Sequence, residues 1–109
     1  MAESDEHRYA QEIAAWSAKV PGAVRIRDAQ PRSKVKVAGV VRRITVRPIE
    51  GSESLEALLD DGTGEVRVVW MGRRSIKGLN LGTRLIVDGM LAEHQSERRL
   101  VNPIFEFAA

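Results

Sequence analysis

The sequence predicts an all-β domain, a five-stranded Greek-key barrel carrying an amphipathic helix at its N-terminus, and three observations lead there. Apolar residues fall at helical spacing before Pro21 and on alternate positions after Pro31. Turn residues divide the alternating part into five short runs, with the best hairpin at LLDDGTGEVRVVWMG, residues 58–72. Two of the runs, VKVAGVV and LIVDGML, place Gly39 and Gly89 in mid-strand, where a coiled barrel strand must bend or let another backbone approach.

The helix is predicted from Ser4 to Lys19. Tyr9, Ile13, Trp16 and Val20 form its apolar stripe, Ala10, Ala14, Ala15 and Ala18 favour the conformation, Ser4 or Asp5 caps the start and Pro21-Gly22 stops it. Its aromatic side is expected to dock on the domain, which divides the chain into a helix and tail (1–22) and a barrel (23–109). The first strand begins at Val35 and changes phase near Arg42-Arg43: Val35, Val37, Gly39 and Val41 share one parity, Ile44 and Val46 the other. A bulge or sharp coil is expected at that point. Leu55, Ala57 and Leu59 alternate in the second strand; Val66, Val68 and Trp70 alternate in the third, placing Trp70 in the core. Arg73 to Leu79 is a turn or short helix whose Ile76 and Leu79 plug an open end of the barrel. The fourth strand runs from Thr83 to about Ala92. The fifth runs from about Arg98 to Phe107 and, because Pro103 cannot donate to a ladder, lies at an edge or breaks in two. Phe105 and Phe107 are expected to pack against Trp16.

A chain of 109 residues suits one domain that buries roughly two thirds of its unfolded surface. Hydrophobic residues at 43% and charged residues at 29% exclude disorder, and the absence of cysteine excludes disulfides, thiolate metal sites and cysteine nucleophiles. No signal-peptide pattern or membrane-length apolar run is present, so the expected location is the cytoplasm.

The net charge of +2 hides a block pattern. Residues 20–48 carry a net +7, residues 49–66 a net −6 and residues 67–84 a net +5, with −2 at each end. Such blocks can neutralise one another across neighbouring strands, or leave a basic stripe for an anionic partner.

The segments VKVAGVVRRI, LLDDGTGEVRVVWM, LNLGTRLIVDGML and RRLVNPIFEF resemble those of OB-fold domains, in particular the wedge domain of the RecG helicase and the anticodon-binding domains of class II aminoacyl-tRNA synthetases. The likeness covers about Val35 to Phe107. It implies a stand-alone bacterial module that grips single-stranded or forked DNA, or RNA, on the face of strands two and three and with the loops joining strands one to two and four to five. By position, Arg67 falls where the synthetase domains place a base-touching polar residue, and Glu56 where they commonly place a stacking aromatic. A carboxylate there removes a contact of about 1–3 kcal/mol per base.

The residues themselves then divide the surface. The first loop, roughly Pro48 to Ser54, carries Glu50 and Glu53 and is unfavourable for phosphate, whereas the fourth, roughly Glu93 to Arg99, carries His94, Gln95, Arg98 and Arg99. The expected site is Arg42, Arg43, Arg47, Arg67, Arg98 and Arg99, with Val69 and Met71 as apolar contacts on the face of Arg67. Arg73, Arg74 and Lys77 form a second basic patch. This reading requires guanidinium charge to stay free of the adjoining carboxylates.

No chemistry beyond binding is legible. His7 and His94 are isolated, Asp60-Asp61 is ordinary turn composition, and no phosphate-loop motif occurs, so neither catalytic residues nor a metal or other cofactor is expected. The alternative is a protein-interaction module using the barrel face or the N-terminal helix.

Overall fold

The computed structural model describes residues 4–49 and 51–108. Helix α1 covers Asp5–Ala18, and the strands are β1 (Lys34–Ile49), β2 (Ser52–Asp60), β3 (Glu65–Met71), β4 (Arg84–His94), β5 (Glu97–Val101) and β6 (Ile104–Phe107). A single 3-10 turn at Ile26–Asp28 lies between helix and barrel.

The strands form one sheet in the order β1-β2-β3-β5-β4-β6, and β1 also pairs with β4, which closes a ring of five. All pairings are antiparallel except β3–β5, which is parallel. β1 serves two neighbours because it is long and kinked. Lys34 to Val40 pair with β4, Val40 to Ile49 pair with β2, and the register slips between Val41 and Arg43. The extra residue is Arg42, where the phase change in the sequence predicts it. Gly39 sits at the bend, and a Cβ there would lie 2.9 Å from both the Asp60 carbonyl oxygen and Leu59 Cγ, so only glycine fits.

The predicted fifth strand breaks at Asn102-Pro103 into β5 and β6, both paired with β4. Asn102 takes a left-handed conformation at φ 49°. Its N–H donates to the Val69 carbonyl (2.7 Å) and its Oδ1 accepts from the Met71 N–H (2.9 Å), so the side chain prolongs the ladder that Pro103 ends. Inside the ring lie Val35, Val37, Val41, Leu55, Ala57, Leu59, Val66, Val68, Trp70, Leu85, Val87, Leu91 and Leu100. Leu79 and Ile76 close one end, from a turn and not from a helix.

Ser4 caps α1, its Oγ accepting from the His7 N–H at 3.1 Å. The helix lies on its own barrel, across the β2–β3 turn. Ile13 and Ser17 are its buried residues, while the aromatic residues lie beneath arginines: Arg42 over the Tyr9 ring (5.2 Å) and Arg84 over Trp16 (4.9 Å). Phe105 and Phe107 therefore do not meet Trp16. Phe105 packs edge-on against Trp70 at 5.4 Å and Phe107, 42% exposed, against Phe105 at 6.0 Å, the two sharing one face of β6.

Candidate nucleic-acid interface

The outer face of the second half of β1, with β2, β3 and β5, is set by strand register. Arg43 lies opposite Leu58, Leu58 opposite Arg67 and Arg67 opposite Arg99, so one row of side chains crosses four strands. The next row is Thr45, Glu56, Val69 and Val101, and the third is Arg47, Ser54 and Met71. Sites two residues apart on one strand share a face, so these rows make one surface.

Two carboxylates organise that surface. Glu56 Oε1 lies 3.0 Å from Arg47 Nε and 3.0 Å from Arg67 Nη1. Glu97 Oε1 lies 3.1 Å from Arg67 Nε and 2.7 Å from Arg99 Nε. The two acids differ in access: the side chain of Glu56 is 6% exposed, that of Glu97 39%. Burial works against the Arg67 charge, but Glu97 and Glu56 outweigh it and raise its pKa above the ordinary arginine value. Glu97 is shifted the other way, its carboxyl held below the usual range by the Arg99 hydrogen bond first and by Arg67 second.

The structure thus brings Arg43, Arg47, Arg67, Arg99, Val69 and Met71 onto one face and places Arg42 and Arg98 elsewhere. Arg42 occupies the bulge and turns to Tyr9. Arg98 has the parity of buried Leu100 and points to the far end of the barrel, where its Nη2 donates to the Arg27 carbonyl (3.3 Å). Val69 has the predicted facing but is 6% exposed, so it offers little contact, whereas Met71 is 51% exposed. In the second patch, Arg74 is paired with Glu53 (2.9 Å), and Arg73 and Lys77 are exposed without an ion pair among the described residues. The expectation of positive charge free of carboxylates fails for Arg47, Arg67, Arg74 and Arg99; among the described residues it holds for Arg43, Arg73 and Lys77, and for Arg42 and Arg98, which are engaged by the Tyr9 ring and the Arg27 carbonyl. Three guanidiniums contact the two carboxylates and Arg43 stands apart; with exposed Glu65 at the end of the same face of β3, four positive charges face three negative ones, an excess of one.

Neither loop expected to flank the face is extended. β1 and β2 are joined at residues 50–51, of which Glu50 lies outside the described residues, and Gly51 has φ 75°. β4 and β5 are joined by Gln95 and Ser96, at φ 51° and 67°, a two-residue turn of the kind that matches strand twist. Arg98 and Arg99 are strand residues, as the expected start of the fifth strand at about Arg98 has them, and not loop residues. Glu97 and the buried position of Glu56 were missed. A diagonal Glu56–Arg67 contact follows once β2 and β3 are aligned, but Glu97 meets Arg67 only through the parallel β3–β5 pairing, which no local pattern announces.

Asp61 belongs to the frame and not to a metal site. Its Oδ1 accepts from the Thr63 N–H (2.9 Å), the Thr63 hydroxyl (2.6 Å) and the Gly64 N–H (3.2 Å), and its Oδ2 from the Ile26 N–H (2.8 Å). Among the described residues there is no cluster suited to a metal, no pocket, and no helix long and apolar enough to cross a membrane.

No family model matches the sequence, and no curated protein does. Solved structures do. RecG bound to a three-way DNA junction aligns with a TM-score of 0.64 and 21% identity over 79% of this chain, which spans 12% of the RecG chain. A replication protein A heterotrimer bound to single-stranded DNA aligns with a TM-score of 0.57 and 16% identity, over 85% of this chain and 70% of that one. Likeness at these identities is likeness of fold, and with the five-strand ring and its β1–β4 closure it shows this chain to be an OB-fold barrel with a helix packed on it.

Proposed function

We propose that the outer face of β1, β2, β3 and β5 binds single-stranded or branched nucleic acid through its phosphates, with little sequence preference and without catalysis. One observation carries this reading: Arg43, Arg47, Arg67 and Arg99 share one strand face, where Glu56 and Glu97 hold the last three and Arg43 has no ion pair among the described residues. A guanidinium has five N–H donors, so one contact to a carboxylate oxygen leaves others for a phosphate. No aromatic ring lies on the described part of this face, which argues for backbone contact over base stacking. That both structural neighbours are DNA complexes supports the same class of ligand.

The test is titration of labelled single-stranded DNA, single-stranded RNA, duplex and forked DNA at several salt concentrations. Log affinity should fall linearly with log salt, with a slope near −0.7 per phosphate neutralised on a single strand. A flat response overturns the proposal.

Exposed Met71 and Val101, side by side on the same face, favour a second reading in which the barrel docks a protein. It requires a defined partner that stays bound after nuclease digestion and is released by Met71→Asp. The buried face of α1 is already used within the molecule, so the helix offers such a partner only its solvent side.

A further inference from the structure

Glu97 stands apart from the other acids of the barrel. It is the first residue of β5, directly after the two-residue turn, and its carboxylate bridges Arg67 and Arg99 through a single oxygen while remaining 39% exposed. Carboxylate and phosphate oxygens satisfy the same guanidinium donors. Glu97 Oε1 now occupies the point between Arg67 Nε and Arg99 Nε, donors that a phosphate oxygen of a bound strand can also take.

Resting on the nucleic-acid reading above, we propose that Glu97 is a displaceable occupant of the phosphate position: a phosphodiester takes its place between Arg67 and Arg99, and its carboxylate swings to solvent.

Three features make the exchange feasible. Only side-chain rotation is needed, since Glu97 pairs with His94 through the backbone and its carboxylate carries no ladder bond. Arg67 would keep its place when Glu97 leaves, because buried Glu56 holds Nη1 from the other side at 3.0 Å. The present contact is also imperfect: Arg67 Nε is buried and, although 3.1 Å from Glu97 Oε1, makes no hydrogen bond of good geometry. An acceptor with more oxygens and a tetrahedral shape can serve Nε and Arg99 together. Glu56 differs, since its side chain is only 6% exposed and is held between Arg47 and Arg67.

The consequence is selectivity by avidity. A lone anion must compete with a tethered carboxylate, whereas a polynucleotide that also engages Arg43 and Arg47 gains enough contacts to displace it.

The experiment compares wild type, Glu97→Gln and Glu65→Gln in binding a labelled oligothymidylate, with circular dichroism melts to verify folding. Glu65 is exposed on the same face, two residues before Arg67, and has no ion pair among the described residues, so its variant reports the general effect of removing one negative charge. Glu97→Gln is expected to tighten binding by about three- to tenfold over wild type and clearly more than Glu65→Gln. If wild type binds and the two variants change affinity equally, Glu97 is not an occupant and the inference falls while the nucleic-acid reading stands. If no form binds any oligonucleotide, both fall. Binding by Glu97→Gln alone supports both.

Discussion

At the scale of single residues, the barrel depends on a few side chains with several simultaneous partners. Asp61 is 1% exposed and satisfies three backbone N–H groups and one hydroxyl, joining the β2–β3 turn to the 3-10 turn. Asp61→Ala would strand those donors, each costing about 1–3 kcal/mol when buried and unpaired. With partial rescue by water, a loss of about 2–4 kcal/mol is expected in urea unfolding. Glu97 contributes in a pH-dependent way. Its folded pKa is depressed, so the stabilisation is fully present well above the unfolded value of about 4.3 and is lost as pH falls from there through the folded value. Because the side chain is 39% exposed, the effect is screened to less than about 1 kcal/mol. In unfolding measured across pH, the stabilities of wild type and Glu97→Gln should therefore differ by a constant amount at neutral pH and draw together only as pH falls below the unfolded value of about 4.3.

At the scale of elements, α1 and the β2–β3 hairpin are fitted to each other through Gly62. That residue has φ 87°, and a Cβ on it would overlap the Ala10 carbonyl oxygen and approach Ala14 Cβ to 2.9 Å. Gly62→Ala incurs both backbone strain and helix displacement, and a loss of about 1–3 kcal/mol in thermal unfolding is expected. Loss confined to a fraying helix, with the barrel transition unmoved, would mean that α1 is not coupled to the sheet. The strands were legible because alternation is a local signal: the Val41/Arg43 slip, Trp70 inside, and the break at Pro103 all follow from parity and proline chemistry. The β4–β5 turn was not, since Gln95 and Ser96 adopt left-handed conformations that glycine or asparagine ordinarily marks. The expected fifth strand already begins at about Arg98, one residue from the observed start, but the loop drawn as Glu93 to Arg99 overlaps it, and the opposite facing of Arg98 and Arg99 follows from the strand alone.

At the scale of the whole molecule, charge blocks that look separate in sequence are interleaved by the ring. The acidic block of residues 49–66 supplies Glu56 between two arginines from basic blocks on either side, and Glu97 arrives from a strand 41 positions later, so the face is neither neutral nor freely basic. Counting charge along the chain could find the arginines but not their partners, which depend on closure of β5 against β3. What binds must then be decided by position and not by total charge. Arg43 and Lys34 test this, being exposed residues of the same strand with no ion pair among the described residues, Arg43 on the proposed face and Lys34 opposite Met90 on the β4 side of the ring. Arg43→Glu and Lys34→Glu change net charge equally. Long-range attraction alone would weaken oligonucleotide binding alike in both, increasingly at low salt. Direct contact on the face predicts a loss of about tenfold or more for Arg43→Glu at 0.15 M salt, where the Debye length is about 8 Å, and near-wild-type affinity for Lys34→Glu. Equal losses would move the interface away from β1, β2, β3 and β5.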